Sequence, residues 1–164
     1  MGHSITAIIL KGEYELTKSR EYDLIEVDLG FNLSMFFIDG FYSAFWQEKL
    51  QTIGCLETNC QKITWFPREN SLYQLMKNIS KENPVEFMII QTDYHGGVGN
   101  QNANLYKEDK NVDLNINTIS KGLQYLRVNK GSFYDEFEAV GLNNHRTNPE
   151  FLDKYRDLAD ELGV

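Results

Sequence analysis

The sequence predicts an α+β protein: a mostly antiparallel sheet with helices packed against it, in a single domain over residues 1–164. Three observations predict it. Segments of strand length come in neighbouring pairs, an alternating one with a more apolar one: Leu24–Leu29 with Leu33–Ile38, and Asn102–Tyr106 with Phe87–Ile90. Each pair is joined by a stretch holding glycine, Gly30 in the first and Gly96, Gly97 and Gly99 in the second. Other segments carry apolar residues at helical spacing instead, such as Leu72, Leu75, Met76 and Ile79.

In chain order, Ile5–Leu10 is a first strand and Glu13–Tyr22 a short helix or helical loop. Leu24–Leu29 and Leu33–Ile38 form a hairpin across Gly30. Asp39 or Gly40 opens a helix over Phe41–Ile53, with Gly54 placed to cap its end and an aromatic cluster (Phe41, Tyr42, Phe45, Trp46) facing the core. Residues 55–69 read as irregular, with a short strand at Lys62–Phe66. Asn70 or Ser71 then caps the Leu72–Ile79 helix, which Asn83–Pro84 ends.

The central stretch, Val85–Lys107, opens with a strand covered on both faces and continues through Gln91, Thr92, Asp93, Tyr94 and His95. Alternation puts Gln91, Asp93 and His95 on one face and Thr92 and Tyr94 on the other. The returning strand alternates Ala103 and Leu105 with Asn102, Asn104 and Tyr106, the pattern of a half-exposed strand. A nucleotide loop needs a helix directly after its glycines; here period two follows, so the glycines mark a hairpin. Lys107–Asp113 is a charged loop, and Ile116, Ile119, Leu123 and Leu126 mark a helix that Gly122 weakens. Ser132 with Asp135 resembles a capping box before a brief helix that ends at Gly141. Asn148 and Pro149 suit the cap and first position of a last helix, with Phe151, Leu152, Tyr155, Leu158 and Leu162 on its inner stripe and Glu150, Asp153, Asp157 and Glu161 opposite.

Composition narrows the function classes. A net charge of −8 argues against nucleic acid or an anionic membrane as partner. Ser132–Val164 holds eight acids and three bases, hence −5, leaving −3 for the rest of the chain. That excess reads either as a solvated face or as a surface that steers a basic protein partner. No stretch approaches the roughly 18 apolar residues of a membrane helix, and no export signal opens the chain, so the cytoplasm is the default location. The two cysteines, Cys55 and Cys60, fit no zinc spacing and read as free thiols.

Chemistry-bearing residues are few. His3, His95 and His145 are isolated in sequence, without metal-ligand spacing, so neither a metal nor any other cofactor is expected. Asp93 and His95, sharing a strand face, could act as a carboxylate-oriented general base, although no nucleophile context accompanies them. The polar segment Asn143–Asn148 joins two helices; its His145 and Arg146 are donors beside an acidic region, and Arg146 is expected to pair with a carboxylate.

Thr92–Tyr106 and Tyr134–Asn148 resemble segments of uncharacterised bacterial proteins, some of them similar to immunity proteins of polymorphic toxin systems. The shared element is an aromatic–Gly–Gly–x–Gly–x–Gln hairpin, matched here by Gly96, Gly97, Gly99 and Gln101, with His95 departing at the aromatic position. The resemblance implies a binding protein without catalysis. The leading expectation is an acidic protein-binding module, an immunity-type inhibitor of a toxin domain. Its candidate binding residues are Asp93, Tyr94, His95, Gln101, His145, Arg146, Glu150, Asp153, Asp157 and Glu161. The alternatives are a hydrolase or metal-dependent enzyme centred on Asp93 and His95, and a small-ligand sensor with an enclosed aromatic cavity.

Overall fold

A computed structural model describes residues 2–52, 54–56 and 68–164. Among these residues six strands form one antiparallel sheet in the order β2-β3-β1-β4-β5-β6. They are β1 (Thr6–Lys11), β2 (Glu26–Gly30), β3 (Leu33–Phe37), β4 (Glu86–His95), β5 (Val98–Lys107) and β6 (Lys110–Asn111). The helices among these residues are α1 (Leu16–Glu21), α2 (Gly40–Leu50), α3 (Glu69–Ile79), α4 (Ile119–Tyr125), α5 (Glu136–Ala139) and α6 (Lys154–Leu162). The α+β architecture and both hairpins are therefore present; the strand expected at Lys62–Phe66 lies outside the described residues.

Strand alternation sorts the core into two layers. Ile8 pairs with Phe36 on one side and Ile89 on the other, and Leu10 pairs with Phe87, so these side chains share a face. Helix α3 covers that face: Tyr73 stacks on Phe87, which stacks on Tyr106. The stripe Leu72, Leu75, Met76 and Ile79 is wholly buried beneath it. On the opposite face Ile9, Met88 and Leu105 lie in register, and α4 packs there through Gly122, directly over the Met88 sulfur. Helix α2 is tied to α3 by Ser71 Oγ donating to the Ser43 carbonyl at 3.1 Å, and to α6 by the Tyr42 and Tyr155 rings at 4.8 Å.

The expectation for β5 needs correcting. Asn104 and Tyr106 are buried, not solvated, because the Glu69 carboxylate in the first turn of α3 accepts from both side chains. Hydrogen bonds to an acceptor offset much of the cost of burying a polar strand face. The Lys107–Asp113 loop contains β6. The helix expected over Phe41–Ile53 ends at Leu50, capped by Gln51 in the left-handed region, not by Gly54, and Phe41 at its start is exposed. Helix α3 begins at Glu69, ahead of the expected caps Asn70 and Ser71.

Asp135, not Ser132, caps α5. The last helix is shorter than its apolar stripe: Glu150–Asp153 is a 3-10 turn, and α6 starts only at Lys154. Asn148 caps neither; its side chain accepts from the Thr6 N–H and donates to the Ile38 carbonyl, both at 3.0 Å, pinning this segment to the sheet. Cys55 is disulfide-bonded, which overturns the free-thiol expectation. Among the described residues no helix is long and apolar enough to cross a membrane.

Candidate functional site: a pocket at the end of the central strands

The β4–β5 hairpin turns on Gly96 and Gly97, with φ of 61° and 81°, a region that glycine enters without steric cost. Gly99 needs its missing side chain for another reason: a Cβ there would lie 1.9 Å from the Asp93 carbonyl oxygen across the strand pair. This tight hairpin carries β4 far enough for residue 3 to pair with Tyr94, His3 N–H donating to Tyr94 O and Tyr94 N–H to His3 O at 2.9 Å each.

Beside that pairing lies a pocket of about 330 Å³, lined by His3, Tyr94, Gln101, Ser120, Asp135, Phe137, Asn143 and Arg146. His3 is wholly engaged. The Leu142 carbonyl, 2.9 Å from Nε2, can only accept, so Nε2 carries the proton, and Nδ1 faces the Thr92 hydroxyl at 2.8 Å. Its ring packs on Phe137 with centroids 5.3 Å apart, so His3 lends the pocket a ring surface and no free nitrogen. Gln101 is structural too: its Nε2 donates to the Tyr94 hydroxyl at 3.2 Å and its Oε1 accepts the Ile119 N–H at 2.9 Å, locking the start of α4 to β5. One Asp135 oxygen accepts the Glu138 N–H at 2.9 Å. Arg146 is exposed, its backbone held by the Ser4 N–H at 2.7 Å. Among the described residues it makes no ion pair, which corrects the expected carboxylate partner.

The fold thus gathers Tyr94, Gln101 and Arg146 from the expected set and leaves the others apart. Asp93 and His95 do meet, Oδ1 to Nε2 at 3.0 Å, but both are largely exposed on the other sheet face. His145 packs against Phe37 at 5.7 Å. Glu150, Asp153, Asp157 and Glu161 are exposed, the first two on the 3-10 turn and the last two on α6. No group of three or more His, Cys, Asp or Glu side chains able to hold a metal occurs among the described residues. Sequence reasoning missed His3, Ser120, Asp135 and Phe137 as neighbours; nothing local in the sequence brings the third residue beside the 137th.

A larger depression, about 540 Å³, lies at the opposite end of β1 and is lined by Glu13, Tyr14, Glu26, Asp28 and Lys81 among others. Burial, then the Glu26 carboxylate, pushes the Tyr14 hydroxyl well above the usual tyrosine range, so it remains a hydrogen-bond donor there. The smaller pocket is the better candidate, because three rings (His3, Tyr94 and Phe137) line it beside one acid and one base, whereas Tyr14 lines the larger depression among mostly acidic side chains. Comparison with known proteins adds no assignment: no protein family, curated protein or solved structure matches this chain.

Proposed function

We propose that the protein is a protein-binding module, an inhibitor of the immunity type, whose acidic C-terminal segment receives a basic partner. One observation carries this reading: the segment's outward acids lack counter-charges. Glu150, Asp153, Asp157 and Glu161 are exposed and form no ion pair among the described residues. The cations beside them are turned to other contacts, Lys154 to Asp23 at 2.8 Å and Arg156 over the Phe41 ring at 5.6 Å. A surface charged in this way raises the encounter rate with a basic protein and is screened beyond a Debye length of about 8 Å at physiological salt.

The test uses the full chain as bait at low salt, beside a variant carrying Glu150→Gln, Asp153→Asn, Asp157→Asn and Glu161→Gln. A basic protein captured by the wild type should associate severalfold more slowly with the variant, and more slowly with both as salt rises. Its off-rate should change less. Association indifferent to salt and to all four changes overturns the proposal. The enzyme reading rests on the 3.0 Å Asp93–His95 contact, which stands on an exposed hairpin where water competes for both groups.

A further inference from the structure

Arg146 and Asp135 line one small pocket, yet no ion pair joins them. A guanidinium and a carboxylate that are free to meet gain by closing into a hydrogen-bonded pair. Here each residue is held elsewhere: one Asp135 carboxylate oxygen caps α5 by accepting the Glu138 N–H, and the Arg146 carbonyl accepts the Ser4 N–H. The Phe137 and Tyr94 side chains line the same pocket. Tyr94 accepts from Gln101 and so keeps its own hydroxyl proton to donate. A pocket with separated opposite charges and an apolar wall is complementary to a molecule with the same three features. At about 330 Å³ it lies at the small end of the range of ligand sites, roughly 300–1,000 Å³.

We infer that this pocket binds a small zwitterion bearing an apolar group, the chemistry of a free α-amino acid with an aromatic or large aliphatic side chain. Arg146 takes the carboxylate, the uncapped oxygen of Asp135 takes the ammonium, and Phe137 and Tyr94 hold the side chain. This site is distinct from the acidic C-terminal face and stands whether or not that face binds a protein.

The experiment is an amide chemical-shift titration of the full chain with L-phenylalanine and with L-leucine. Phenylacetate, which lacks the ammonium, and phenethylamine, which lacks the carboxylate, serve as half-ligands. The variants are Arg146→Gln and Asp135→Asn; the asparagine oxygen still accepts the Glu138 N–H, so α5 stays capped. At least one amino acid should give saturable shifts centred on Tyr94, Gln101, Ser120 and Phe137. Arg146→Gln should weaken the amino acid and phenylacetate by about tenfold or more while leaving phenethylamine unchanged. Asp135→Asn should do the converse. Absence of saturable shifts with either amino acid at millimolar concentration, or equal binding by wild type and both variants, overturns the inference.

Discussion

At the scale of single residues, Gly122 shows how far a local reading can mislead. Glycine inside a helix is unfavourable by about 1 kcal/mol relative to alanine, so sequence alone marks it as a weakness. In the fold it lets α4 approach the sheet closely: a Cβ there would sit 2.0 Å from the sulfur of Met88, a fully buried residue. Gly122→Ala should therefore cost about 1–3 kcal/mol in urea denaturation despite the gain in propensity. On a Met88→Ala background the same change should become neutral or stabilising, because the obstructing atoms are gone. Asp39 offers a second test. It caps α2 by accepting the Tyr42 N–H at 2.7 Å, and burial, with Asp153 adding to it, raises its carboxyl above the usual value. A folded pKa above the unfolded one gives stability that is present below the unfolded value of 3.8 and is lost as pH rises through the folded value. Asp39→Asn keeps the capping oxygen and removes the proton. Its stability relative to wild type should rise as pH climbs through the window just above 3.8, then level off toward neutrality; a constant difference across that window would show that Asp39 is not perturbed.

At the scale of elements, periodicity decided what could be read in advance. Helix α3 and strand β4 were legible because each buries residues at the repeat of its own backbone, and Ile89→Ala should cost about 2–5 kcal/mol at the centre of that core. Strand β5 was half legible. Its Asn104 and Tyr106 look like solvent residues, and only Glu69, on a helix far back in the sequence, makes their burial tolerable. The C-terminal segment failed for a related reason. Phe151, Leu152 and Tyr155 have helical spacing, but Asn148 is held by the Thr6 N–H and the Ile38 carbonyl, and the chain leaves that anchor through a 3-10 turn before α6 begins. The same kind of distant pairing assembled the pocket: Tyr94 and Gln101 follow from the hairpin, whereas His3 and Phe137 arrive by tertiary contact. Asn148→Ala should cost about 1–3 kcal/mol, since it strands a backbone donor and acceptor beside the buried sheet. A loss under half of the low end of that range would mean that water replaces the amide.

At the scale of the whole molecule, the two ends of the chain are joined by tyrosines. Tyr42 on α2 donates to the Tyr22 carbonyl at 2.5 Å, and Tyr155 on α6 donates to Asp23 at 2.5 Å, so the turn after α1 is gripped from both helices. Burial works against the Asp23 charge, but the hydrogen bonds from Lys154 and Tyr155 outweigh it and hold this carboxyl below its usual value. Its contribution is thus present above 3.8 and is lost as pH falls through the lower folded value. The tyrosines set the opposite limit. Burial raises both hydroxyls above the model-compound value of 10.0, and the Asp23 charge adds to the shift at Tyr155. A group whose folded pKa is raised keeps its full contribution below the unfolded value and loses it as pH climbs toward the folded one. Above pH 10.0 the unfolded chain releases protons that the fold retains, so stability should fall by about 1.4 kcal/mol per pH unit for each such tyrosine. Tyr155→Phe should be less stable at neutral pH, by about 0.5–1.5 kcal/mol for the lost hydrogen bond to Asp23. It should also lose stability less steeply in alkali, so the two curves converge as pH rises. Tyrosinate absorbance and circular dichroism followed together provide the check: the buried tyrosines should ionise only as the fold is lost, and full ionisation of all nine tyrosines with the native spectrum intact would show that α2 and α6 do not hold this turn.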